Sequence, residues 1–190
     1  MGAMSRLAIA IALLLLPLAV HAAATQKPAH AQKPVDALFA ELAQARSPEE
    51  AKPIEDQIEA IFQQSGSATV DLLMTRAAAA EKTQDLDTAR KILNDIVQIA
   101  PGYAEGWRRL GELEALSNDD TGAMLALQKA VTLNPRHFAA MSELADMLDD
   151  YGDKKAALGV LRKVQALDPT YENVDRRVRE LTKEVEGQGI

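Results

Sequence analysis

Residues 101–137 read PGYAEGWRRLGELEALSNDDTGAMLALQKAVTLNPRH, and the proline that opens this stretch returns near its end. Pro101 and Pro135 are 34 residues apart, and Pro169 follows after another 34. The residues before each proline are alike: Ile99-Ala100, Leu133-Asn134 and Leu167-Asp168. Other columns keep the same spacing: Asp85, Asp119 and Asp153; Ala89, Ala123 and Ala157; Leu93, Leu127 and Leu161; Tyr103, His137 and Tyr171. A period held by so many columns marks an array of repeats, in which each unit buries its apolar face against its neighbours.

The columns have a physical reading as pairs of antiparallel helices. The first helix of each unit offers a large apolar residue (Leu73, Trp107, Met141) and, four positions on, a small one (Ala77, Gly111, Ala145). The second helix answers with Ala89, Ala123 and Ala157, where two helices can cross closely. The aspartates just before it are placed to cap free backbone N–H groups. The prolines fall where a helix must stop. This pattern resembles the tetratricopeptide repeat (TPR), and the resemblance implies an all-α solenoid with units at 70–103, 104–137 and 138–171. Two positions depart from it. Arg76 occupies the column of Leu110 and Leu144, and Glu114 stands where the family usually carries a tyrosine.

The flanks extend the array. Residues 35–66 read as a degenerate helical hairpin, its first helix from Val35 to Arg46 with Leu38, Phe39 and Leu42 on one stripe. Ser47-Pro48-Glu49-Glu50 is a helix-start signature, with Ser as cap and Pro in the first turn. The second helix carries Ile54, Ile58, Ile61 and Phe62 to about Gln64, with Gly66 as its stop and Pro53 expected to kink it or shift its start. Phe39 precedes Leu73 by 34 residues, so the hairpin is expected to stack on the first repeat as an N-terminal cap. At the other end, Val174, Val178, Leu181 and Val185 form the stripe of a capping helix at 172–186, charged on its remaining faces.

The beginning of the chain reads as an address. Arg6, the apolar run Leu7–Val20 and Val20-His21-Ala22-Ala23-Ala24 have the order of a secretory signal peptide, with cleavage after Ala22 or Ala24 fitting equally well. The run has 14 residues, short of the roughly 20 that span a bilayer. Residues 1–22 are therefore expected to leave, residues 23–34 to form a disordered linker, and no membrane span to remain. The expected location is the periplasm. The 190 residues carry a net charge of −7, which becomes −8 without Arg6. An acidic chain lacks the basic face that nucleic acid requires. The absence of cysteine excludes disulfides, thiolate zinc sites, a cysteine nucleophile and a lipidated N-terminal Cys.

Little in the repeats suggests catalysis. His21 and His30 lie before the helices, and His137 occupies an aromatic column that gives it a structural task. No phosphate-cradling glycine loop or Ser-His-acid arrangement is visible, so no enzymatic activity and no cofactor are expected. Asp146, Asp149, Asp150 and Asp153 crowd together without the alternating spacing of a calcium loop. They read as a solvated helix end plus a cap, and no metal site is expected. Trp107 reads as core. The resemblance implies a concave surface lined by the first helix of each unit, and it carries partner binding onto Asp71, Met74, Ala78 and Glu81, onto Glu105, Arg108, Glu112 and Ala115, and onto Ala139, Ser142, Asp146 and Asp149. The Lys and Asn residues with which one subset of the family clamps a C-terminal carboxylate are replaced here by Asp, Glu and Ala. An acidic groove suits a partner with a basic segment.

As a whole, the chain resembles small periplasmic TPR proteins of alphaproteobacterial cell envelopes. Ser65-Gly66-Ser67, Val70-Asp71-Leu72-Leu73-Met74 and the ending Val185-Glu186-Gly187 carry this likeness. It implies a non-enzymatic adaptor that binds another periplasmic or envelope protein and supports envelope integrity. A structural protein that stacks through its terminal helices is the alternative expectation.

Overall fold

The computed structural model describes residues 32–187. The signal segment and most of the expected linker lie outside these residues. Among the described residues there are nine α-helices and no strand. α1 spans Gln32–Leu42 and α2 Pro48–Phe62. Three pairs follow: α3 (Ala68–Lys82) with α4 (Leu86–Ile99), α5 (Ala104–Leu116) with α6 (Asp120–Leu133), and α7 (Phe138–Asp150) with α8 (Lys154–Leu167). A short 3-10 turn at Tyr171–Asn173 leads into α9 (Val174–Glu186). No described helix is long and apolar enough to cross a membrane.

Each pair closes where its small residues meet. Ala77, Ala89, Gly111, Ala123, Ala145 and Ala157 are all buried. A Cβ added to Gly111 would stand 2.8 Å from Leu127 Cγ and 3.2 Å from the Ala123 carbonyl oxygen, so this crossing requires glycine. The three aspartates cap as expected. Asp85 accepts from the backbone N–H of Thr88, Asp119 from Gly122 and Asp153 from Ala156. The turn before each cap has a column of its own: Gln84, Asn118 and Gly152 all have positive φ, at 60°, 60° and 82°. This left-handed residue lets the next N–H reach back to the preceding helix, from Asp85 to Ala80, Asp119 to Glu114 and Asp153 to Leu148. The two departures from the repeat pattern are accommodated. Arg76 is exposed, and buried Glu114 accepts from Arg90 Nε of α4 at 2.9 Å. Trp107 is half-buried, and its indole N–H donates to the Pro101 carbonyl at 3.0 Å.

The N-terminal hairpin departs from expectation. Helix α1 begins at Gln32, inside the expected linker, and ends at Leu42 rather than Arg46. Helix α2 begins at Pro48, capped by Ser47, and runs through Pro53 to Phe62 without breaking. Gly66 is not its stop but a left-handed residue of the connecting loop, with φ +77°. Nor does the hairpin stack on the first repeat as a cap. It shares its apolar core with the far end of the array: Phe39, Leu42, Ile54 and Ile58 pack in one cluster with Phe138, Met141, Tyr171, Val174 and Leu181. A separate cluster holds α3, α4 and α5 through Val70, Leu93, Ile96, Tyr103 and Leu113. The reason is aromatic. Phe39 packs on Phe62 and Phe138, Phe138 on Tyr171, and Phe62 on His137. In the first repeat the positions equivalent to His137 and Phe138 are Thr69 and Val70, which offer the hairpin no comparable ring; only the Tyr171 column keeps its aromatic there, as Tyr103.

Helix α9 covers the last repeat with Val174, Val178 and Leu181. It starts at Val174, two residues later than expected, because Glu172 and Asn173 adopt positive φ.

Candidate functional site

The first helices of the three units, α3, α5 and α7, carry the twelve sequence-derived groove residues. These residues fall into three environments. Asp71 and Ala78 are exposed on α3, with Met74 half-buried between them. Together with Gln63, Thr75, Ala77, Leu93, Tyr103, Glu105 and Arg109 they line a recess of about 390 Å³. Alanines on α3 and the turn of Leu93 leave its floor apolar. Asp71 is not free, since its carboxylate accepts from the Ser65 N–H at 3.2 Å and from the Ser65 hydroxyl at 2.6 Å.

The middle of the surface is a ladder of ion pairs. Arg108 donates from Nε and Nη2 to both oxygens of Glu105 at 2.8 Å. Its Nη1 reaches Glu143 at 2.6 Å and Glu112 at 3.4 Å. Arg109 pairs with Glu81 and, at 3.7 Å, with Glu112. Glu105 is only 5% exposed. Burial alone would raise its carboxyl, but the hydrogen bonds and charge of Arg108 and the contact with His137 hold it down at about 2. Burial, opposed by Arg108, pushes Glu143 up to about 7. Glu143 Oε2 and Glu81 Oε1 are buried with no hydrogen-bond partner. His137, 2% exposed, is structural in its contacts. Its Nδ1 faces the N–H of Ala140 and caps α7, while Nε2 lies 2.9 Å from Glu105. The hydrogen bonds therefore assign the proton to Nε2.

The third environment is partly covered. Ala139 faces the hairpin across a small cavity of about 210 Å³ that Glu59, Phe62, Gln63 and Tyr171 also line. Ser142 is buried. Its hydroxyl accepts from Arg177 Nη1 at 2.8 Å and donates to Glu172 at 3.1 Å. Arg177 also pairs with Asp146, whose carboxyl is raised by burial despite that charge. Ala115 and Asp149 lie at the helix ends, away from both recesses. The acidic cluster is thus divided: Asp146 is paired, Asp153 caps α8, and no group of acids and histidines among the described residues is placed to hold a metal ion.

The groove identified from the repeat is therefore brought together only in part. Asp71, Met74, Ala78 and Glu105 share the open recess. Ala139 and Ser142 are covered by the hairpin and by α9, whereas Asp146 stays exposed while paired with Arg177. Sequence reasoning missed Tyr103, whose hydroxyl donates to the Gln63 carbonyl at 2.7 Å. It also missed Arg109 and Arg177, which neutralise groove acids. Their signal was available as cations at helix positions facing those acids, but only the arrangement of helices identifies the partners.

Comparison with known proteins agrees with this architecture. The family model for the tetratricopeptide repeat matches residues 70–113. A TPR repeat-containing protein of Rhizobium etli is 28% identical over 153 residues, 80% of this chain and 75% of the relative. The TPR domain of Sgt2 from Aspergillus fumigatus superposes with a TM-score of 0.56 at 18% identity, over 64% of this chain and 82% of that one. The Yersinia enterocolitica type III secretion chaperone SycD, solved with a peptide of the translocator YopD, gives a TM-score of 0.56 at 15% identity, over 65% and 97%. These two likenesses carry the fold alone.

Proposed function

We propose that this chain, a tetratricopeptide-repeat protein, is a non-enzymatic adaptor that holds a segment of another protein in the open half of its concave surface. The observation that carries the reading is the recess of about 390 Å³ between α3 and α5, apolar at Met74, Ala77 and Ala78 and polar at its rim. A recess that joins apolar ground to oriented polar groups suits a side chain or a short segment. The surrounding charges favour a basic partner. Asp71, Glu81, Glu105, Glu112, Glu143, Asp146 and Asp149 outnumber Arg108, Arg109 and Arg177, so a negative potential remains after pairing. SycD, with its bound peptide, is the fold neighbour that illustrates such capture.

The signal-like residues 1–22 support export to the periplasm, and the resemblance to envelope proteins supports a partner and a role there. A photo-crosslinker at exposed Ala78 in cells tests the whole reading, with exposed Leu125 on α6 as the comparison site. We expect a distinct envelope protein to be captured from Ala78 and not from Leu125. Equal capture from both positions defeats the groove assignment, and capture of the protein alone favours self-assembly.

A further inference from the structure

The hairpin that closes the third-repeat end of the groove is attached differently from the repeats. Its helices meet the solenoid through side chains, and neither approaches a solenoid helix as closely along its backbone as the solenoid helices approach one another. Its tether is the loop 63–67, with left-handed Gly66. Its polar attachments are few: Arg136 pairs with Asp36 and lies 3.8 Å over the Phe39 ring, and Tyr103 donates to Gln63. The remaining one joins two acids. Glu55 of α2, 7% exposed, is within hydrogen-bond reach of Asp168 in the turn after α8, which is 0% exposed. Asp168 Oδ1 accepts from both the N–H and the hydroxyl of Thr170 at 2.9 Å. Its Oδ2 is buried and meets no N–H or hydroxyl donor. A proton on Glu55 supplies the missing donor, because two carboxyl groups bond to each other only when one is protonated.

We propose that the α1–α2 hairpin is a detachable occupant of the third-repeat end of the concave surface, latched by a proton shared between Glu55 and Asp168 and released when Glu55 loses it. Release uncovers Phe138, Ala139 and Tyr171 and lengthens the groove open to a partner. That last consequence rests on the adaptor reading, while the latch itself does not.

The charges acting on Glu55 are unequal to compensating it. Lys52 Nζ stands 3.7 Å away but only 2.9 Å from Asp56, and it is well exposed. Glu59 on α2 and Asp168 across the interface are both acidic, and Tyr171 beside them contributes no positive charge. Burial first, then the bond and charge of Asp168, push Glu55 up to about 7 from an ordinary 4.5. The docked state therefore holds the proton more tightly than the undocked one. Docking is strongest below about 4.5 and is lost as pH rises through about 7. Each unit of difference is tenfold, so the docking constant should fall by roughly 300-fold across this window.

The chain has no native cysteine, so spin labels at Ala60→Cys and Lys163→Cys, both exposed positions, report the hairpin's distance from α8 in the full chain without any partner. A Tyr103→Phe background, which removes one attachment, brings the equilibrium into measurable range. We expect one narrow distance at pH 5.5 and a second, longer population at pH 8.5. Glu55→Gln, whose amide donates to Asp168 at any pH, should keep the narrow distance at both. An unchanged distance between the two pH values, or opening of the Glu55→Gln chain like the parent, overturns the latch. Because no partner is present, either result leaves the adaptor reading to its own crosslinking test.

Discussion

The groove face has two halves built from one repeat, and one of them is partly covered. Around α3 and α5 the groove positions are Asp71, Met74 and Ala78, which reach solvent. Around α7 the equivalent positions are Ala139, Ser142 and Asp146, which meet the hairpin, Glu172 and Arg177. The difference does not lie in the framework. Small-residue crossings, aspartate caps and left-handed turns recur in all three units. It lies in a few large side chains. The third unit begins with Phe138 and ends with Tyr171, and these recruit Phe39 and Phe62 from the hairpin. A repeat thus sets the scaffold, while the residues that vary between copies decide which part of the scaffold is left for a partner.

The sharpest way to break the comparison is Phe138→Ala. Phe138 is fully buried between the hairpin and Tyr171, and its loss should destabilise the chain by about 3–5 kcal/mol in urea unfolding. If the loss is small, the covered half is not held by its aromatic cluster. Gly111→Ala probes the scaffold shared by both halves. The new methyl group must displace Leu127 and crowd a backbone carbonyl, at about 2 kcal/mol, read as a lowered midpoint without change in helical content.

The ion-pair ladder between the halves should show in pH dependence. Glu143, raised to about 7 by burial, contributes stability that is complete below its ordinary 4.5 and disappears as pH rises through 7. Glu105, held at about 2, contributes stability that is present above 4.5 and disappears as pH falls toward 2. Urea midpoints from pH 3 to 8 should therefore decline in both directions from a maximum near pH 5. Glu143→Gln should remove about 2–3 kcal/mol of the alkaline decline and leave the acid limb in place; an unaltered alkaline limb would remove Glu143 from the account. Asp153→Ala should lose one helix cap, about 1 kcal/mol, by thermal unfolding. The smallest effect expected is a gain. Gln84 holds a left-handed conformation that Gly152 occupies freely, so Gln84→Gly should raise stability by a few tenths to about 1 kcal/mol, and a loss instead would mean that its side chain matters more than its backbone.

The repeat framework was legible because its columns report geometry directly. Asp85, Asp119 and Asp153 announce caps, and Ala89, Ala123 and Ala157 announce close crossings. The left-handed column was half legible, in Asn118 and Gly152, and hidden by Gln84. The hairpin's place was not legible. The stripe of Phe39, Ile54 and Ile58 states that these residues are buried but not what covers them, and the 34-residue offset between Phe39 and Leu73 suggested the neighbouring repeat. The open recess was legible at Asp71, Met74 and Ala78, since helical spacing puts them on one face. The pairing of Ser142 and Asp146 with Arg177 was not, because Arg177 reaches them from a different helix.

The core shared by hairpin and last repeat has a consequence for how the chain acquires its structure. A solenoid usually forms from contacts near in sequence, and it can grow one unit at a time. Here Asp36 pairs with Arg136, 100 residues later, and Phe39 shares its core with Leu181. Loops of this length slow folding. Of the described helices, α1 and α2 leave the ribosome first, yet His137 and Phe138, which pack on their phenylalanines, are made only after the first two repeats. Until the third repeat has been made, Phe39, Ile54 and Ile58 remain without their cover, and the earliest of the described helices to be synthesised wait for partners from the far end of the array.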